Sequence, residues 1–246
     1  PTTSSPSYIT ENLVLYYKGD GISGNVWTDL SGTNNTGNLQ GGMIGTSSGC
    51  GWAIFDGSND FVSTTTQFTN PQVFTIEVWI RTSDGNSGKI IGFETHQTGT
   101  SSPQYDRMLY VNTSGKAVFG VYNNQIFIAT SSTTINNGDW HHIVGAYNIN
   151  TNIGTLWVNG IVESSFNTSN IQNYSGYWRL GSHRLLGWTN ASDGYLSGDI
   201  SLARVYVGKS LNTSEVLINY TNSSSCFHSV TPTATPTVTP TGTPSP

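Results

Sequence analysis

Residues 74–80 read Phe74-Thr75-Ile76-Glu77-Val78-Trp79-Ile80, an alternation that sets Phe74, Ile76, Val78 and Ile80 on one face of an extended chain. A period of two is the signature of a β-strand, whose successive side chains point to opposite sides. The same beat returns at 116–122, K-A-V-F-G-V-Y, where Ala117, Phe119 and Val121 share a face. Both stretches read as half-buried antiparallel strands. Further strands are expected at 13–17, 52–55, 90–93, 108–111, 126–130, 141–147, 155–158, 178–181 and 200–207, separated by short turn signals. The sharpest of these is Asn159-Gly160, set between L-W-V and I-V-E, because both central residues of a type I′ hairpin need positive φ. One helix is expected over 213–220, with Asn212 as N-cap and Glu215 completing the capping-box spacing. The pattern is that of an all-β, two-sheet antiparallel sandwich with one short C-terminal helix.

The ends have a different character. Residues 231–246 read T-P-T-A-T-P-T-V-T-P-T-G-T-P-S-P, and the proline beat predicts a solvated polyproline II tail. Threonine this dense beside proline is the composition of an O-glycosylated stalk, with Thr231, Thr233, Thr235, Thr237, Thr239, Thr241 and Thr243 as acceptors. Residues 1–7, P-T-T-S-S-P-S, look like a second spacer. The expected organisation is therefore a spacer at 1–7, a folded domain at 8–228 and a linker at 229–246. The chain starts at Pro1 with no signal peptide, as a mature product or a fragment would, and secretion is inferred.

Only 9% of the 246 residues are charged and the net charge is −5, with nine Lys and Arg that form no cluster. Nucleic acid and anionic membrane are thus not expected partners. Attached glycans would supply the missing solubility. N-x-Ser/Thr occurs at Asn34, Asn112, Asn167, Asn173, Asn190, Asn212, Asn219 and Asn222. This composition gives about six such triplets by chance, so placement in Gly/Ser/Asn-rich loops carries the expectation rather than number. Glycosylation of Asn212 would compete with its capping role. The two cysteines, Cys50 and Cys226, should pair in an oxidising compartment, and two buried free thiols are the alternative.

The chain resembles the laminin-G-like, concanavalin A-like jelly rolls, a superfamily that includes the pentraxins. The resemblance lies in L-V-L-Y-Y from Leu13, W-T-D-L-S-G from Trp27, F-D-G-S-N-D-F-V from Phe55 and F-T-I-E-V-W-I from Phe74. It continues through D-W-H-H-I-V-G-A-Y from Asp139, L-W-V-N-G from Leu156, R-L-G-S from Arg179 and G-D-I-S-L-A-R-V-Y from Gly198. It implies two antiparallel sheets of six or seven strands each, closed by the first and last strands. It implies no single function, since this fold hosts lectins, hydrolases and adhesion domains.

Catalysis is not expected. Glycosidase chemistry needs two carboxylates across a cleft, and the strand where enzymatic relatives carry E-x-D-x-x-E offers only Glu77, which reads as a surface residue of the sheet. His141 and His142 are neighbours on one strand and point to opposite faces, so they cannot share a metal ion, and the resemblance of D-W-H-H to the family's structural Trp-His strand implies that Trp140 is a core anchor. No cofactor is expected, and a structural calcium is the one ion to weigh. Asp56-x-Ser58-x-Asp60 has calcium-loop spacing but Gln67 stands where the closing acid belongs, and the resemblance implies that F-D-G-S-N-D is a structural turn. The resemblance implies a second calcium position to which Asp20 and Asp199 could contribute, but Ser201 replaces the family's acid.

Sugar recognition by a sandwich needs exposed aromatic faces with amide and hydroxyl groups. Tyr105, Tyr177 and Trp188 are the candidate stacking residues, and Trp188 is expected to be the most exposed. Two functions follow. The first is a non-catalytic, extracellular, glycosylated structural subunit that self-associates through its Thr-Pro tail into a homo-oligomer or fibre. The second is a carbohydrate-binding or adhesion module tethered by that tail to a larger protein.

Overall fold

The computed structural model describes residues 8–46, 49–84 and 88–227. The two spacers lie outside the described residues, and with them the expected polyproline II tail and the O-glycosylation positions Thr231, Thr233, Thr235, Thr237, Thr239, Thr241 and Thr243.

The described chain forms β1 (Leu13–Lys18), β2 (Ile22–Ser23), β3 (Val26–Trp27), β4 (Gly37–Gln40), β5 (Ile44–Thr46), β6 (Trp52–Asp56), β7 (Phe61–Thr64), β8 (Phe68–Thr69) and β9 (Val73–Arg81). These are followed by β10 (Lys89–Glu94), β11 (Tyr105–Val111), β12 (Lys116–Tyr122), β13 (Ile126–Thr134), β14 (Trp140–Asn148), β15 (Ile153–Val158), β16 (Ile161–Asn167), β17 (Ser175–Leu180), β18 (Ser197–Val207) and α1 (Thr213–Ser224). The strands make an antiparallel sandwich of two sheets. The eight-stranded sheet runs β16-β15-β14-β9-β18-β6-β5, with β1 also on β18, and the ten-stranded sheet runs β13-β12-β11-β10-β17-β7-β4-β3-β2, with β8 also on β17. The counts exceed six or seven because short strands such as β2, β3, β5 and β8 extend both sheets. First and last strands pair as expected, with Leu13 opposite Tyr206 and Tyr17 opposite Ala203.

Phe74, Ile76, Val78 and Ile80 of β9 do point between the sheets, meeting Phe119 and Val121 of β12 in the main core. The expectation of half-buried strands fails, however, for Thr75, Glu77 and Trp79 on the other face of β9 are also buried. That face is covered by α1 and the turn that follows it. Trp79 is stacked by Phe227 at 4.2 Å and by Tyr220 at 5.7 Å between ring centroids, and its indole N–H donates to Ser223 Oγ at 2.8 Å. Trp140 joins this outer cluster rather than the inter-sheet core, with its ring 5.2 Å from Phe227. The helix begins as read from the sequence: Asn212 Oδ1 accepts from the Glu215 amide while the Glu215 carboxylate accepts from the Asn212 amide. It runs four residues beyond the expected Tyr220.

Glu77, read as a surface residue, has no exposed area. Its Oε1 accepts from His142 Nε2 at 2.9 Å and from Arg204 Nη1 at 2.8 Å, and its Oε2 accepts from Asn219 Nδ2 at 2.7 Å. Sequence periodicity placed Glu77 on the outward face correctly, but only the returning helix makes that face an interior. His141 takes no part in this network, bonding instead to Asn137 and Asn159. The Asn159-Gly160 turn has φ of 52° and 79°, as a type I′ hairpin demands. Cys50 and Cys226 form a disulfide with a Cα–Cα separation of 5.8 Å, tying the end of α1 to the approach to β6.

Candidate functional site

The outer face of the ten-stranded sheet carries a second outer cluster, and it is here that aromatic residues gather. On β12 the residues opposite the core-facing set are Val118, Gly120 and Tyr122; β13 adds Ile126 and Ile128, and β11 adds Met108 and Tyr110. Arg107, at φ 47°, breaks the alternation of β11, and the pairing with β10 shifts register there. Tyr105 and Met108 can then face outward together although three residues apart.

Residues 181–196 fold over this face and are fastened from below. Lys89 Nζ donates to the carbonyls of His183 and Arg184 at 3.1 and 3.3 Å, Tyr105 hydroxyl to Leu186 O at 2.9 Å, and Tyr110 hydroxyl to Thr189 O at 2.7 Å. Trp188 is the centre of the covering. A Cβ built on Gly120 would lie 2.5 Å from Trp188 Cζ3, so the glycine is the space into which the indole packs. Trp188 is consequently 6% exposed, which corrects the expectation that it is the most exposed aromatic.

Where the covering ends, a cleft of about 290 Å³ remains, walled by Tyr105, Tyr122, Ile126, Gln172, Leu186 and Trp188, with Gln104 at its rim. Gln172 is pinned by its main chain: its amide donates to Tyr122 O at 2.9 Å and its carbonyl accepts from buried Arg107 Nη2. The side-chain amide of Gln172, the Nε2 of Gln104 and the hydroxyl of Tyr122 make no hydrogen bond among the described residues. No charged side chain lines the cleft among those residues. Arg184 stands outside it, its guanidinium 5.0 Å from the Tyr105 ring centre. A neutral cleft with aromatic walls and free amide and hydroxyl groups suits a polyhydroxylated, uncharged surface.

Two of the three sequence-predicted stacking residues therefore converge, Tyr105 as a wall and Trp188 as a buried support. Tyr177 does not join them; it lies on β17 opposite Glu94 and away from the cleft lining. Tyr122, Gln104 and Gln172 were missed. Tyr122 was within reach, since putting Ala117, Phe119 and Val121 inward puts it outward. The glutamines carried no sequence signal.

The other candidate positions are placed as follows. Asn34, Asn167, Asn173, Asn190, Asn212 and Asn222 are exposed. Asn219 is 1% exposed, donating to Glu77 and Tyr206 and accepting from the Ile9 amide, and Asn112 is 5% exposed with Oδ1 closing the turn to Ser114 and Lys116. A glycan on Asn219, whose Nδ2 is held by Glu77 and Tyr206, is incompatible with this packing, which corrects that expectation. Asn212 caps through Oδ1, leaving Nδ2 outside the cap, so glycosylation there need not compete with capping. The calcium donors are occupied: Asp20 pairs with Lys18 at 2.9 Å, Asp199 Oδ2 accepts from Arg81 Nε and Nη2 at 2.9 and 2.7 Å, and Ser201 Oγ donates to Gly51 O at 2.5 Å. Among the described residues no group of three or more His, Cys, Asp and Glu side chains is gathered to hold a metal ion. Asp60 accepts from the Asp56 amide at 3.0 Å, so F-D-G-S-N-D is a structural turn.

The sequence matches Laminin_G_3, the Concanavalin A-like lectin/glucanases superfamily, over residues 55–217. No curated protein matches the chain. Among solved structures, the receptor-binding domain of the botulinum neurotoxin C/D mosaic serotype is similar at 14% identity and TM-score 0.64, covering 87% of this chain and 52% of that one. The binding domain of botulinum neurotoxin DC in complex with SialylT gives 15%, 0.64, 87% and 51%. A botulinum neurotoxin type C structure, whose cell entry depends upon interaction with two ganglioside molecules, gives 17%, 0.65, 86% and 51%. The chain thus spans about half the length of these neighbours, and identities this low speak for the fold. The matched span takes in β7 to β18 and the first five residues of α1, and on it the chain belongs to the concanavalin A-like lectin/glucanases superfamily as a laminin-G-like domain.

Proposed function

We propose that this chain is a non-catalytic carbohydrate-binding module that works outside the cell and holds a neutral saccharide in the cleft beside Trp188. The observation that carries the reading is the lining itself: the Tyr105 and Tyr122 rings beside the side-chain amide of Gln172 and the Nε2 of Gln104, which make no hydrogen bond among the described residues. Sugar rings offer apolar C–H faces to aromatic side chains and hydroxyls to amides, and both are provided without a charge. A binding rather than catalytic role agrees with the absence of a carboxylate among the described lining residues, since glycoside hydrolysis needs two. The Cys50–Cys226 bond supports an oxidising, extracellular setting. The ganglioside and SialylT interactions belong to the neurotoxin domains and lend the reading support only through a shared fold.

This reverses the order of the two readings made from sequence. The fibre subunit rested on the Thr-Pro tail, which lies outside the described residues, whereas the cleft beside Trp188 supports the carbohydrate module. In this reading the tail is a linker, and the exposed sequons carry glycans.

The test is a glycan array followed by calorimetry on the best ligand. Tyr122→Ala and Gln172→Ala should each weaken binding about tenfold with unchanged folding, the loss of one stacking or hydrogen-bonding contact. An array without neutral-saccharide binders, or binding indifferent to both variants, would overturn the assignment.

A further inference from the structure

The opposite side of the sandwich holds a second concavity. Beside α1, on the outer face of the eight-stranded sheet, a pocket of about 240 Å³ is lined by Tyr8, Tyr16, Lys18, Arg204, Ser223 and the Cys50–Cys226 bond. Two cations line it, and among the described residues no carboxylate does.

Arg204 is 2% exposed and its guanidinium lies 4.5 and 4.6 Å from the ring centres of Tyr8 and Tyr16. Only Nη1 is given to a carboxylate, Glu77. Among the described residues the buried Nε has no hydrogen-bond partner. A guanidinium binds a carboxylate best side-on, through the parallel N–H groups of Nε and Nη2. At Arg81 this edge is given to a carboxylate, Nε and Nη2 both donating to Asp199 Oδ2. In Arg204 the same edge carries no carboxylate. Leaving a charged, buried N–H unsatisfied is costly, so an unpartnered Nε–H beside a pocket marks a place for a ligand.

No Asp or Glu side chain of the chain fills it. Its fourteen Asp and Glu all fall within the described residues, since none stands in 1–7, 47–48, 85–87 or 228–246. We propose that this pocket binds a carboxylate from outside the chain, held side-on by the Nε–Nη2 edge of Arg204 with Lys18 Nζ as the second cation. Lys18 is placed for this, being 36% exposed and paired only with Asp20, itself 42% exposed, so its charge remains available. The carboxylate can come from a free small acid or from the acidic residue of a saccharide.

The arginine Nε–Hε resonances of ¹⁵N-labelled full-length protein provide the test. Acetate, glucuronate, glucose and sodium chloride are titrated separately at matched ionic strength. The Arg204 cross-peak should shift in a saturable way with at least one of the two carboxylates and stay fixed with glucose and chloride. Movement with acetate alone assigns a free small acid, and movement with glucuronate alone or more tightly assigns a saccharide. Lys18→Ala, at an exposed position, should fold normally and weaken the carboxylate about fivefold, the upper range for one exposed ion pair. An Arg204 cross-peak unmoved by both carboxylates, or moved equally by chloride, overturns the proposal. So does a Lys18→Ala protein with unaltered affinity. The cleft beside Trp188 lies on the other sheet, so the fates of the two sites are read independently.

Discussion

Trp188 occupies the volume that any side chain on Gly120 would need: a Cβ there would lie 2.5 Å from Cζ3 of the indole and 3.0 Å from Ile128 Cγ2. Glycine on β12 thus decides whether the tryptophan is displayed or packed.

Gly120→Ala should lift Trp188 off the sheet and cost about 1–3 kcal/mol through overpacking. Urea unfolding measures the loss, and the native tryptophan emission should move to the red. A variant as stable as the parent with unchanged emission would show that the contact is not a tight one.

Asn219 should be unmodified in the glycosylated protein, while peptides containing Asn34, Asn167, Asn173, Asn190 and Asn222 are the ones open to occupancy. Glycopeptide mass spectrometry decides the matter site by site. Asn219→Ala, which strips a donor from buried Glu77 and an acceptor from the Ile9 amide, should destabilise by about 3 kcal/mol. Asn222→Gln, at an exposed position, should be silent.

Acid should weaken the lock beneath α1. Burial alone would raise the Glu77 pKa, but the charge of Arg204 and the hydrogen bonds from His142 and Asn219 outweigh it and hold the carboxyl at about 2, below its ordinary 4.5. A folded-state pKa below the unfolded value contributes stability that is complete above about pH 4.5 and is lost as pH falls toward 2. The contribution is about 3 kcal/mol at neutral pH. Glu94, lowered by Lys89 and Arg179 against its burial, works in the same sense, whereas Asp106, raised by burial, works against it. The stability curves of the parent and Glu77→Gln should therefore lie about 3 kcal/mol apart at pH 7 and converge near pH 2. Parallel curves would show that Glu77 is not the titrating group.

Reduction should loosen the same corner. The Cys50–Cys226 bond spans 176 positions, and closing so long a loop is worth about 5 kcal/mol in the chain-entropy treatment. The Cys50→Ala/Cys226→Ala double variant should lose several degrees in melting temperature, with altered tryptophan emission as Phe227 frees Trp79. A melting temperature equal to that of the oxidised parent would show the bond to be energetically idle.

Much of this protein can be read from local sequence because the signals are local. Phe74 to Ile80 declare a strand by their period of two, Asn159-Gly160 declares a hairpin by its tolerance of positive φ, and Asn212 with Glu215 declares the start of a helix. The family order of these segments extends the reading to a sandwich closed by its first and last strands. The candidate cleft was legible in part: Tyr105 and Trp188 were singled out, and the alternation that placed Phe119 inward also placed Tyr122 outward.

The burial of Glu77, Asn219 and Trp188 was not legible, for a common reason. Strand periodicity tells which of two faces a residue takes, but whether the outer face meets water depends on what returns to cover it. Here α1, far along the chain from β9, covers one sheet, and residues 181–196 cover part of the other, held by Lys89, Tyr105 and Tyr110. The sequence by itself determined the strands, their turns, the helix start and the sandwich, since each is a short-range preference of backbone and side chain. Only the tertiary structure decided which polar groups are locked inside and where concavities remain, because both arise from contacts between segments that no local pattern relates.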